Sequence, residues 1–126
     1  MKIELDDKNP SFHKIISYSD DSFQVKDKIL KTNIIISKDR LIENWLINGY
    51  QYFAMQHLDD VISWHPEIIL LGTGKDLSFP SQEVFSCINS KNIGFEVMDT
   101  GAACRSYNLL IDEGRNVVAC LFLAGN

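Results

Sequence analysis

The sequence predicts an α/β fold: a three-layer domain with a mainly parallel central sheet flanked by helices, plus an N-terminal antiparallel β-meander. Three observations carry this. From residue 51 onward, helical and strand patterns alternate three times over, the rhythm of βαβ crossovers. Residues 1–50 instead hold short β-branched runs separated by turn chemistry, with no helical period. The chain is 126 residues long, the size of one domain, and no linker, repeat or low-complexity stretch divides it. The expected organisation is therefore one domain over 1–126, β-rich in 1–50 and alternating in 51–126.

The elements follow in order. Lys2 to Pro10 is polar and reads as a loosely held lead. Ile15 to Tyr18 and Phe23 to Leu30 read as strands around the turn Asp20-Asp21-Ser22. Thr32 to Ser37 is continuous and β-branched, which marks a central strand. Ser37-Lys38-Asp39-Arg40 can turn, and Leu41 to Ile47 is a further strand. Ala54, Leu58, Val61 and Ile62 share one helix face, and Pro66 blocks continuation. Glu67 to Leu71 is a buried strand, closed by Gly72-Thr73-Gly74. Pro80 opens a second helix, with Glu83 in its first turn and Val84, Phe85 and Ile88 inward. Asn92 and Gly94 bracket its end. Phe95 to Met98 is the next strand. A third helix runs from about Gly101 to Glu113, capped by Thr100 or Asp99 and ended by Gly114. Asn116 to Leu123 is the last strand.

Charge excludes some functions. Lys plus Arg number 12 and Asp plus Glu 17, for a formal charge of -5. No net basic field steers the chain toward nucleic acid or an anionic membrane, so no nucleic acid partner is expected. The longest apolar runs, such as Ile68 to Leu71, are too short for a transmembrane segment. Met1 to Pro10 is charged and lacks an apolar stretch, so the sequence reads as having neither a signal nor a transit peptide, and a cytoplasmic location is expected. The three cysteines, Cys87, Cys104 and Cys120, show no CxxC spacing and fit free thiols in a reducing compartment.

In an open α/β sheet, ligands gather beyond the carboxyl ends of the parallel strands. Two such ends stand out: Gly72, Thr73, Gly74 and Lys75 after one strand, and Asp99, Thr100, Cys104 and Arg105 after the next. As parallel neighbours they would face one crevice. Glycine lets backbone approach closely, and the free N–H groups of a helix start attract an anion or carboxylate. The plain alternative is that the glycines only turn the chain and Arg105 pairs with Asp99 or Asp112. Neither loop is a nucleotide signature, because GTGK lacks P-loop spacing and no GxGxxG occurs. Cys104 lies in the first turns of a helix beside Arg105, and both features favour thiolate. A nucleophile also needs a base and an orienting group, which the sequence does not place beside it, so the expected role is a small side chain packing helix against sheet. Cys87 and Cys120 read as core. No cofactor is expected, and no metal: the histidines lack HxxxH or HxH spacing, and Asp59-Asp60 fall on different faces of their helix. Asp6-Asp7 and Asp20-Asp21 read as turn residues. Trp45, Tyr50, Tyr52, Phe53 and Trp64 cluster where sheet meets helix, as core or as a partner surface.

A series of motifs carries a resemblance over most of the chain. It runs Pro66-Glu67-Ile68-Ile69-Leu70-Leu71-Gly72-Thr73-Gly74, then Phe79-Pro80, then Ile93-Gly94-Phe95-Glu96-Val97-Met98-Asp99-Thr100. It ends in Ala103-Cys104-Arg105-Ser106-Tyr107-Asn108 and Glu113-Gly114-Arg115. In their order and spacing these resemble the small domain family of mitochondrial NADH dehydrogenase (complex I) assembly factor 3, with its bacterial and archaeal relatives. Gly101 stands where that family has alanine or a similar residue, and Ser106 where threonine is usual; Gly101 is expected to loosen the helix start and widen the crevice. The resemblance implies a three-layer α/β fold with a β-rich extension and assembly-factor action by protein contact, with no catalytic residues to carry over.

The expected function is thus a non-enzymatic binding module. It would aid biogenesis of a respiratory or other membrane-associated complex, with a protein partner such as respiratory-complex subunits. Arg105, Thr73 and Asp99 would be the contact residues for a peptide or acidic group. The other reading is a small-molecule or anion-binding enzyme or sensor, with Arg105 holding the anion and Cys104 or Asp99 doing chemistry. Edge chemistry in the β-rich half permits a homodimer.

Overall fold

A computed structural model describes residues 1–3 and 11–125. Most of the expected polar lead, including Asp6-Asp7, lies outside the described residues. Residues 1–3 pair with the first strand, through Ile3 N–H to Ile16 O and Tyr18 N–H to Met1 O.

Two sheets form. β1 (Ile15–Tyr18), β2 (Phe23–Val25) and β3 (Lys28–Leu30) make a small antiparallel sheet. β4 (Ile34–Ile36), β5 (Leu41–Ile42), β6 (Ile68–Gly72), β7 (Gly94–Met98) and β8 (Val117–Leu121) make a five-stranded sheet in the order β5-β4-β8-β6-β7. β8, β6 and β7 run parallel, and β4 and β5 extend the sheet in antiparallel fashion. The N-terminal strands are thus antiparallel as expected, but β4 and β5 belong to the central sheet. The expected strand over Phe23 to Leu30 is a hairpin: Lys26 takes φ 55 and reverses the chain. The expected strand over Leu41 to Ile47 stops at Ile42. Beyond it Asn33 holds the chain instead, its carbonyl accepting from Trp45 N–H and its side-chain amide donating to Ile47 O.

Helix α1 covers Asp59–Ser63 only; residues Met55–Leu58 form a tighter 3-10 turn. There the His57 ring Nδ1 accepts from the Ala54 N–H, a local bond that competes with α-helical pairing. α2 spans Gln82–Asn89 and α3 spans Thr100–Asp112, the latter capped by Asp99 and followed by Gly114 in the left-handed region.

Strand order dictates the layers. β6 to β7 steps one way across the sheet, and β7 to β8 steps back over β6. Because such crossovers are right-handed, the helices on these two connections must lie on opposite faces. The packing agrees. On one face Ile68, Leu70, Val117, Ala119 and Leu121 meet α3 (Ala103, Cys104, Tyr107, Ile111) and the small sheet (Ile15, Phe23, Val25, Leu30). On the other, Ile69, Leu71, Val118, Cys120 and Phe122 meet α1 and α2 (Val61, Val84, Ile88), with Trp45, Ile47 and Leu58. Successive residues of β6 and β8 thus alternate between two cores. This is why both strands read as unbroken apolar runs.

Candidate functional site

The two loops singled out by sequence are neighbours at the carboxyl ends of β6 and β7, where the connections leave for opposite faces. The crevice expected at such a switch point is filled from within. Thr73 N–H donates to Met98 O at 3.0 Å and Thr100 N–H to Gly74 O at 2.8 Å. The Thr100 hydroxyl accepts from Gly74 N–H at 2.8 Å and donates to Phe122 O at 2.6 Å. Gly72 permits this closure: a Cβ there would stand 2.9 Å from Leu121 Cδ2 and 3.1 Å from Thr100 Cα. The loops seal a seam rather than flank a slot.

The remaining residues of that set are also engaged. Asp99 accepts from Ala102 N–H at 2.9 Å, so the helix start already holds a carboxylate of its own chain. Arg105 hydrogen-bonds the Tyr18 hydroxyl rather than pairing with Asp99 or Asp112. Gly101 makes room for that ring, since a Cβ there would lie 3.0 Å from the Tyr18 oxygen. It is filled space, not a widened crevice. Cys104 is fully buried in the α3 core. Burial pushes its thiol up to about 12 despite the opposing pull of Arg105. This placement fits the packing role rather than a thiolate, because desolvation outweighs the neighbouring cation and the helix start. Cys120 is core and its thiol is likewise raised by burial. Cys87 is only half-buried, and it faces a different space.

That space is a groove of about 840 Å³. It lies on the α1/α2 side of the sheet, opposite α3. One wall is the apolar segment Tyr50, Phe53 and Met55; the other is Phe79, Pro80, Val84 and Cys87, from the loop before α2 and from α2 itself. Thr73, Lys75 and Asp76 form its end beside β6, and Glu83 sits on the α2 side. The walls are braced. The Tyr50 hydroxyl donates to Ser78 O, the Thr73 hydroxyl donates to Asp76 O at 2.7 Å, and it accepts from Ser78 N–H at 3.2 Å. Burial raises the Tyr50 hydroxyl's pKa, with the Ser78 bond opposing, so it stays a donor at neutral pH. Behind it Tyr50, Phe53 and Trp45 pack around Phe122 with centroids 4.9 to 6.2 Å away.

Of the sequence-selected residues, Thr73 and Lys75 line this groove; Gly72, Gly74, Asp99, Thr100, Cys104 and Arg105 do not. The aromatic cluster divides: Trp45 is buried core, whereas Tyr52 is 62% exposed. Phe79, in the groove's lining, is 65% exposed, and Leu77 in the same loop is 51% exposed. The signal for this exposure in the sequence was Leu77 and Phe79 inside a turn-rich loop. Among the described residues no His, Cys, Asp or Glu cluster could hold a metal ion.

A family model described as "Protein of unknown function (DUF498/DUF598)" matches residues 15–122. This chain belongs to that family. A Francisella tularensis protein named "13 kDa major membrane protein" is 34% identical over 91 residues, covering 71% of this chain and 73% of that protein. The NADH dehydrogenase [ubiquinone] 1 alpha subcomplex assembly factor 3 of Xenopus tropicalis is 28% identical over 120 residues, or 93% of this chain. The chain spans 64% of that relative's length. The NMR structure of a Xanthomonas campestris protein superposes with a TM-score of 0.81 at 31% identity, covering 98% of this chain and 94% of that one. The resemblance to the complex I assembly factor 3 family and the α/β fold are both borne out. No helix among the described residues is long and apolar enough to cross a membrane.

Proposed function

We propose that this DUF498/DUF598 protein is a non-catalytic, assembly-factor-like binding module that holds an apolar segment of a partner protein. The site is the groove between residues 50–55 and α2. The observation that carries the reading is the groove itself: about 840 Å³, walled by aromatic and aliphatic side chains, and bordered by Phe79 at 65% exposure. Helix-in-groove recognition needs such a surface. The assembly-factor name of the Xenopus relative supports the same role, with a respiratory-complex subunit as partner. The expected cytoplasmic location belongs to this proposal. Lys75 remains a contact residue; Thr73, Arg105 and Asp99 act in holding the fold.

The test is co-purification from detergent-solubilised membranes of the native host. Wild type and Leu109→Glu are compared with Phe79→Glu, since Leu109 is equally exposed but lies on α3, away from the groove. NADH dehydrogenase subunits should accompany the first two and be lost with the third. Equal recovery by all three, or recovery by none, would sink the proposal.

A further inference from the structure

Charge and shape together narrow the occupant. The stretch 50–87, within which the groove's lining falls, carries five carboxylates (Asp59, Asp60, Glu67, Asp76, Glu83) against one lysine (Lys75), and so holds most of the chain's excess of -5. Glu67 is neutralised by Arg115. Asp76 and Glu83, which line the groove, are exposed and have no ion pair among the described residues. Ion pairs outside the groove include Lys28–Glu43 and Lys14–Asp112. Unmatched carboxylates beside apolar walls are the complement of a cation beside an apolar stripe.

Resting on the docking role above, we infer that the groove takes an amphipathic basic segment of a partner protein: apolar side chains against Phe53, Met55, Phe79 and Val84, and a Lys or Arg beside Glu83 or Asp76. Phe and Met walls adapt to apolar side chains of varied shape. The groove is open to solvent rather than an enclosed cavity, which suits a laid-in chain. Lys75, at the β6 end, repels a cation placed there and so directs the basic residue toward α2. Segments flanking membrane helices on the cytoplasmic side carry an excess of Lys and Arg, which fits a membrane-complex subunit.

Fluorescence anisotropy with the full chain tests this. Two labelled amphipathic peptides of about 18 residues share one leucine pattern; one has a lysine polar face, the other a glutamate face. The lysine peptide should bind about tenfold or more tighter, and added salt should weaken it. Glu83→Lys should reduce its affinity about fivefold, and Lys75→Glu should raise it by a similar factor. Glu113→Lys makes the same change of net charge away from the groove and should leave affinity within about twofold. Phe79→Asp should abolish binding of both peptides; circular dichroism checks that each variant is folded. If the glutamate peptide binds as well and Phe79→Asp still abolishes it, docking stands and the basic occupant is overturned. If Glu113→Lys weakens binding as much as Glu83→Lys, only long-range charge is acting and the inference falls. If neither peptide binds, the docking role itself loses its support.

Discussion

At the scale of single residues, close approach and burial decide what each side chain does. Gly72 ends β6 where α3 begins, and the backbone of Thr100 cannot retreat to admit a methyl group. Gly72→Ala should therefore destabilise the protein by about 1–3 kcal/mol, the usual cost of overpacking a tight contact, read as a lower urea midpoint. The same closeness puts the Thr100 hydroxyl between Gly74 N–H and Phe122 O. The sequence pointed to Gly72, Thr73 and Thr100 for a good reason, since they do meet at the switch between β6 and β7. It could not show that a threonine hydroxyl occupies the space a ligand would need. Nor could it weigh burial against Arg105 at Cys104. With the thiol near 12, alkylation by iodoacetamide at neutral pH should modify Cys87 readily and leave Cys104 unmodified in the native state. Equal rates at both would contradict the buried placement.

At the scale of elements, α3 does more than cover the sheet: it clamps the small N-terminal sheet to the domain. Three consecutive residues of that sheet's first strand region are held by one side of the helix. Tyr107 donates its hydroxyl to His13 O, Asp112 pairs with Lys14, and Asn108 takes both Ile15 groups, N–H at 2.9 Å and C=O at 2.8 Å. Asn108 and Asp112 are four apart and share a helix face. Asn108 is buried, so its amide acts as a substitute strand edge for β1. Asn108→Leu keeps the volume but strands two buried backbone groups, and should cost about 2–4 kcal/mol. Hydrogen exchange at Ile15 should accelerate more than at Leu70 in the central sheet. If both change alike, the clamp is not local. The sequence revealed α3 and its apolar face through Ala103, Tyr107 and Ile111, because helical period is a local signal. It did not reveal the clamp, because the Ile15–Asn108 contact spans 93 residues. The same limit explains the one-strand reading of Phe23 to Leu30: Lys26 is not a usual turn residue, and tertiary pairing of β2 with β3 imposes its positive φ.

At the scale of the molecule, the central sheet divides two cores, and the division bears both on where the two loops lead and on the stability expected at alkaline pH. Right-handed crossovers send α2 and α3 to opposite faces, so loops adjacent at the sheet's edge serve different sides: Lys75 turns toward the groove and Arg105 away from it. Alternation between faces also places one buried thiol in each core, Cys104 with α3 and Cys120 with α1 and α2. Burial raises both above the ordinary 9.0, Cys104 to about 12. A group whose folded pKa is raised holds its proton in the native state after the unfolded chain has released it. Its contribution to stability is full below about pH 9 and is lost as pH rises through the folded value. Stability should thus be flat from about pH 7 to pH 9 with respect to these thiols and fall steeply between about 9 and 12. The buried Tyr107 hydroxyl, also raised by desolvation, steepens the fall. Because the two cores share β6 and β8, the loss should appear as one cooperative transition in urea, with near-ultraviolet and far-ultraviolet signals coincident at each pH. Cys104→Ala should shallow the alkaline slope while lowering stability at pH 7. An unchanged slope in that variant would mean that Cys104 is not shielded from solvent and that the α3 core is looser than its packing indicates.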